Sequence, residues 1–176
     1  MLSVAFAETV TDWDTNAPFA GELAALVDEL VLVESIMRRP VADHLLVCHR
    51  DLWADNVRTR ALDGRPVVID WDNHGRASAS QELAMVLVEF GTTADRVRSL
   101  YRAYLDSGGP GRIHSVAEFT MPVAVLNHIL ELGCRQWLEA TTDDQRARAA
   151  GRVAEFVGDP LTLPVVERRL TQAMNR

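Results

Sequence analysis

The sequence predicts a mainly helical α+β domain with one small β-hairpin inserted between its first and second helices. Three observations lead there. Apolar residues recur at spacings of three and four along most of the chain, the signature of helices with one buried face. Only three short runs read as extended: "HLLV", Asn56 to Arg60, and Pro66 to Asp70. Between the last two stands Asp63-Gly64, a dipeptide that favours the positive φ angles of a hairpin turn.

The elements follow in chain order. Residues 1–17 are mixed and mildly acidic and read as a connector. From Pro18 to Arg39 the apolar positions Leu23, Leu26, Val27, Leu30, Val33 and Met37 define a helix, which Pro40 ends. The strand "HLLV" and the hairpin come next. After Gly75 the chain reads as helical to its end. Ser78 and Gln81 have capping-box spacing and open "QELAMVLVEF", apolar nearly all round and so a central buried helix. A helix near Ala94–Asp106 carries Val97, Leu100, Tyr101, Tyr104 and Leu105, and "SGGPG" stops it. The longest pattern runs from Val116 to Trp137, where Pro122 either kinks the helix or marks its true start. Thr142 with Gln145 caps another helix to about Val157, and Thr162 opens the last one.

Composition narrows the function. A net charge of −7 disfavours a nucleic-acid partner and suits a small cationic ligand better than an anion. No apolar run reaches the roughly 18 residues of a membrane span, so no membrane association is expected. Cys48 and Cys134 have neither metal-ligand spacing nor a disulfide framework and read as reduced, cytoplasmic core residues. All 18 basic residues are Arg, so no lysine chemistry can come from this chain.

The chemistry gathers around the hairpin. "CHRDLWADN" moves from an apolar strand straight into charge, and "VVIDWDNHG" ends the second hairpin strand on Asp70. A tight hairpin brings its two ends together, so Asn56 and Asp70 should be neighbours, with Asp51 projecting from the loop beside them. Two carboxylates and an amide then make an oxygen-rich site for a hard cation such as Mg²⁺, with Asp72 nearby. The run Asp70-x-Asp72-x-His74-Gly75 only imitates a calcium loop. His74 is a poor ligand for a hard cation, Gln81 stands where the last Glu should be, and the run follows a strand.

The order His-Arg-Asp-Leu, then Asn, then a strand ending in Asp resembles the catalytic signature of protein kinases. "CHRDLWADN", "VVIDWDNHG" and "QELA" together resemble the aminoglycoside phosphotransferase family, kinase-like enzymes that phosphorylate hydroxyls of small molecules. The motifs span roughly Ala42 to Phe90. "IDW" in place of Asp-Phe-Gly favours this family over true protein kinases. So does the short distance from Asp70 to Glu82, which leaves no room for an activation segment. The resemblance implies the C-terminal catalytic lobe of a protein-kinase-like fold and transfer of phosphate from ATP with Mg²⁺. Asp51 would orient or accept the proton of the acceptor hydroxyl, and Asn56 and Asp70 would hold Mg²⁺ on the nucleotide phosphates. Glu82 replaces the family's Asp, one methylene shorter, which supports the catalytic loop through its backbone. His49 reads as a structural ring that holds the loop by hydrogen bonds, since the mechanism needs no His.

Such chemistry also uses a Gly-rich loop over the phosphates and a Lys that pairs with them. Only about 40 residues precede the catalytic loop, and neither feature is among them. The chain therefore reads as a connector at 1–17 and a phosphotransferase C-terminal lobe at 18–176 with the nucleotide-binding lobe absent. It would act with a partner lobe or self-associate. A non-catalytic pseudoenzyme or ligand-binding helical module is the alternative, and a metal-dependent hydrolase is a third reading of the carboxylates. The resemblance implies a small-molecule acceptor; the charge favours an amine-bearing one, and aminoglycoside, macrolide, choline-like amine and sugar all remain open. Glu131, Glu139, Asp143 and Asp144 are candidate contacts, although each also reads as part of a solvated helix face.

Overall fold

A computed structural model describes residue 14 and residues 16–175. It is a mainly helical α+β structure with two small antiparallel strand pairs, and its chain divides into two compact units. The connector expected at 1–17 lies outside the described residues except for Asp14, Asn16 and Ala17. Among the described residues, no helix is long and apolar enough to cross a membrane.

One unit joins the chain through Met37 to Val123–Val165. It contains helix α1 (Ala20–Glu34), most of α4 (Thr120–Glu139) and α5 (Asp143–Gly158). Ala17, Phe19, Leu23, Leu30, Leu130, Cys134, Val153 and Phe156 form its core. Phe19 meets Trp137 edge to face, with ring centroids 5.4 Å apart. The expected helix over Pro18–Arg39 is shorter than its apolar pattern. Ser35 turns its hydroxyl onto the Leu32 carbonyl at 2.6 Å, and the next amides bond three residues back instead of four. Ser competes with the helix ladder in this way, so the last turn tightens and stops well before Pro40. The Thr142–Gln145 capping box forms as the spacing predicts.

Glu34, the last residue of α1, is partly buried and accepts a hydrogen bond from Asn127 Nδ2 at 3.1 Å. Burial raises its pKa above the ordinary 4.5, the Asn127 bond opposes this, and the charge of Glu131 adds to the rise. A raised folded-state pKa gives a stability contribution that is complete below the unfolded value and is lost as pH climbs through the folded one. Glu34→Gln keeps the acceptor oxygen and removes the titration. Its melting temperature should match wild type near pH 4 and exceed it at pH 7. A constant difference across that range would refute the assignment.

The other unit comprises Arg38–Pro122 and Val166–Arg176. Strand β1 (Leu45–Cys48) pairs antiparallel with β4 (Gly75–Ser78), from Leu45 opposite Ser78 to Cys48 opposite Gly75. Strands β2 (Val57–Thr59) and β3 (Pro66–Val68) form the expected hairpin, and Gly64 takes φ +71° in its turn. Helices α2 (Ala79–Phe90), α3 (Ala94–Asp106) and most of α6 (Leu163–Met174) complete the unit. Two sequence expectations are corrected or resolved here. The chain is not purely helical after Gly75, because Gly75–Ser78 is a strand held by a partner some thirty residues earlier, which no local pattern reveals. Pro122 falls in the first turn of α4, where a missing N–H costs nothing, so it marks the start of that helix.

Helix α2 buries Gln81, Leu83, Ala84, Met85 and Leu87, as its apolar run predicts. Ser78 caps it by accepting the Gln81 amide at 3.4 Å, while the Gln81 side chain donates to the Arg38 carbonyl at 3.2 Å instead of closing the box. Gly91 ends the helix. A Cβ there would lie 2.2 Å from the Leu87 carbonyl oxygen and 2.6 Å from Val97 Cγ2. Gly91→Ala should therefore cost about 1–3 kcal/mol, seen as a lower urea midpoint at unchanged slope. An unchanged midpoint would show that α2 and α3 give way there.

Candidate functional site

The two strand pairs share an arrangement that builds the site. Cys48 and Gly75 close one pair, and Val57 and Val68 close the facing end of the other. Two loops, residues 49–56 and 69–74, bridge these same ends and so run side by side. Every residue singled out around the hairpin lies on one of them, apart from Glu82 on α2.

The first loop leaves β1 at Cys48, whose buried thiol meets the Ala77 carbonyl at 3.6 Å. Burial, then the neighbouring charge and hydrogen bond of Glu82, push that thiol up to about 11, so it stays protonated at neutral pH and is no nucleophile. His49 is only 3% exposed. Its Nε2 lies 2.8 Å from the Ile69 carbonyl, which can only accept, so Nε2 carries the proton and ties one loop to the other. Its Nδ1 is buried and has no partner among the described residues, and its ring meets Trp71 edge-on at 4.7 Å. Arg50 takes a left-handed φ of +68° and donates its backbone N–H to Glu82 Oε1 at 2.6 Å. Glu82 thus contacts the loop through its backbone, and the longer side chain still reaches.

Asp51 and Asn56 meet directly. Asn56 Nδ2 donates to the Asp51 carbonyl at 2.8 Å, with the Asp51 Oδ2 at 3.4 Å. From the second loop, Asn73 Nδ2 donates to the same Oδ2 at 3.2 Å. Asp51, half-buried, is thereby oriented by amides from both loops. Asp70 follows Ile69, whose amide donates to the Asn56 carbonyl at 2.9 Å. Asp70 has φ +60°, precedes the short turn Trp71–Asn73 and makes no capping bond, which leaves its exposed carboxylate open. Asp72 sits in that turn, also exposed. Two contributors escaped the sequence reading. Asn73 is one of several polar residues in "DWDNHG" and carries no spacing signal of its own. Glu89, which accepts the Ala54 amide at 3.0 Å, lies in a helix that reads as buried.

A family model for phosphotransferase enzymes (APH, "Phosphotransferase enzyme family") matches residues 3–119, about two thirds of the chain. The chain belongs to the phosphotransferase enzyme family. No curated protein and no solved structure matches it. The matched segment holds both loops and Glu82, and it ends just before α4. Three of the four acidic acceptor candidates lie beyond it in ion pairs on their own helices. Glu131 pairs with Arg135, Asp143 with Arg146 at 3.5 Å and Asp144 with Arg148 at 2.7 Å. Asp143 and Asp144 fit the reading of solvated helix faces better than that of free cation receptors, whereas the side chain of Glu131 is only 12% exposed.

The donor set suits a hard cation shared with phosphate. With Nδ2 committed to Asp51, the amide oxygen of Asn56 is the atom left to face a metal, and Asp70 offers an unshared carboxylate. Among the described residues, no three His, Cys, Asp or Glu side chains gather into a metal cluster. Two protein ligands alone would not cage Mg²⁺, which commonly keeps waters and binds through one or two protein groups plus phosphate oxygens.

Proposed function

We propose that this chain is the acceptor- and metal-binding lobe of a kinase-like phosphotransferase that transfers phosphate from ATP to a hydroxyl of a small, amine-bearing molecule. What carries the reading is the placement of Asp51, Asn56 and Asp70 on two adjacent loops within the segment matched to the family. Bound Mg²⁺ would supply positive charge that offsets the charge building up on the phosphates during transfer. The chain's residues would do the positioning. Asn56, through its oxygen, and Asp70 would hold the ion. Asp51 would accept a hydrogen bond from the acceptor hydroxyl and take its proton as the new O–P bond forms and the bond from the terminal phosphorus of ATP to its bridging oxygen breaks, with ADP as the leaving group. Its carboxylate is held ready by Asn56 and Asn73. His49 and Glu82 fix the loop from behind, and Asp72 stays at its margin. The net charge of −7 draws a cationic acceptor in preference to an anionic one.

A nucleotide-binding lobe from outside these 176 residues would cover the phosphates, because no Lys is present to pair with them. Val47, at 71% exposure, and the exposed Val67, Ile69 and Trp71 offer an apolar surface for that lobe or for self-association. Two free buried cysteines accord with a reducing, cytoplasmic setting. The test is a transfer assay with ATP, Mg²⁺ and a panel of amine-bearing and neutral hydroxyl acceptors, run with and without a supplied family nucleotide-binding lobe. Transfer to an amine-bearing acceptor that rises sharply with the lobe is the expected result. Phosphoester cleavage without nucleotide would replace this reading with a hydrolase. Absence of both activities with the lobe present would favour a non-catalytic module.

A further inference from the structure

Helix α2 touches the loop that carries Asp51 and Asn56 at two points. Glu82 accepts the Arg50 amide at 2.6 Å, and Glu89 accepts the Ala54 amide at 3.0 Å. The two glutamates are seven residues apart, so they lie on one helix face two turns, roughly 10 Å, from each other. Leu83, Ala84 and Leu87, buried on the other sides of α2, anchor it. The helix is a fixed back plate, and the loop is laid along it.

Ala54 opens the short turn Ala54–Asn56, and the residue before it, Trp53, has no side-chain oxygen with which to cap that turn. The Glu89 carboxylate supplies the missing acceptor from another element, in a charge-assisted bond of the stronger kind. The turn ends on Asn56, whose own amide bonds back to the Trp53 carbonyl at 3.0 Å. Whatever holds Ala54 therefore sets where the Asn56 side chain begins.

We propose that Glu89 is a positioning residue: with Glu82 it clamps the loop at both ends, and it fixes Asn56 in the place from which its oxygen faces the metal. The role in metal placement rests on the proposed function; the clamp itself does not. Groups that orient a metal ligand typically change affinity by about 10–100-fold when removed.

The experiment uses the whole chain as wild type, Glu89→Ala and Glu89→Gln, each checked for a cooperative melt. Amide hydrogen exchange by NMR reads the clamp without any activity. The Ala54 amide should exchange at least about tenfold faster in Glu89→Ala, while the Arg50 amide, held by Glu82, keeps its protection. Calorimetric titration with Mn²⁺ and ATP, with a family nucleotide-binding lobe supplied, should show affinity lowered about 10–100-fold in Glu89→Ala and largely restored in Glu89→Gln, which keeps an acceptor oxygen. An Ala54 amide as protected as in wild type would overturn the clamp. Faster exchange with unchanged metal–nucleotide affinity would overturn the role in placing Asn56, as would a Gln variant as weak as the Ala one. A wild-type chain that binds no metal–nucleotide even with the lobe supplied would sink the proposed function and metal placement together, and the amide measurement would still decide the clamp.

Discussion

Asp51→Asn is expected to slow phosphate transfer by about 10²–10⁴-fold while nucleotide affinity stays near that of wild type, the loss typical of removing a positioned proton acceptor. The substitution is nearly isosteric. Asn56 Nδ2 also donates to the Asp51 backbone carbonyl at 2.8 Å, a bond the change does not touch. The loop should therefore keep its shape, and the lost rate reports chemistry. The weaker contact from Asn73 to Oδ2 survives if the new amide presents its oxygen there. Single-turnover rates at saturating Mg²⁺ and ATP, with the nucleotide-binding lobe supplied, separate this from binding. A variant with full activity would remove Asp51 from the mechanism.

Asp70→Ala should have a comparable effect through a different quantity. Its open carboxylate is the one full negative charge proposed to face the ion, and metal stabilisation of phosphoryl transfer contributes several kcal/mol. A loss on the order of 10³-fold in transfer follows, together with Mg²⁺–ATP binding too weak to titrate. Raising Mg²⁺ should recover part of the rate in this variant and none in Asp51→Asn. Equal metal binding by wild type and Asp70→Ala would exclude Asp70 from the ligand set.

Much of the fold was legible because its determinants are local. Asp63-Gly64, the Thr142–Gln145 box and the apolar run of α2 each act within a few residues, and each forms as read. What depends on distant partners was not legible. Strand β4 exists because β1 is there to pair with it, and α1 stops early because one serine hydroxyl takes a carbonyl from the ladder. The candidate site divides the same way. Asp51, Asn56 and Asp70 stood out because charges following an apolar strand demand a reason. That the residue at position 82 supports the loop through its backbone was implied by resemblance alone, and the Arg50 amide that Glu82 reaches carries no signal in the sequence. Glu89 and Asn73 act through contacts across 35 and 22 residues, and no sequence spacing encodes such contacts.

Arg50 and Asp70 both hold positive φ, a geometry that glycine adopts freely and that other L residues hold at a cost of about 1–2 kcal/mol. A library selected only for heat resistance would thus drift toward glycine at both positions. At position 50 the drift is compatible with turnover, because the group Glu82 grips is the backbone amide, which glycine retains. At position 70 it deletes the carboxylate. On the proposed reading, robustness can rise at one position without loss of reactivity and must be traded against it at the other, so a directed-evolution campaign on this protein should free the first position and lock the second.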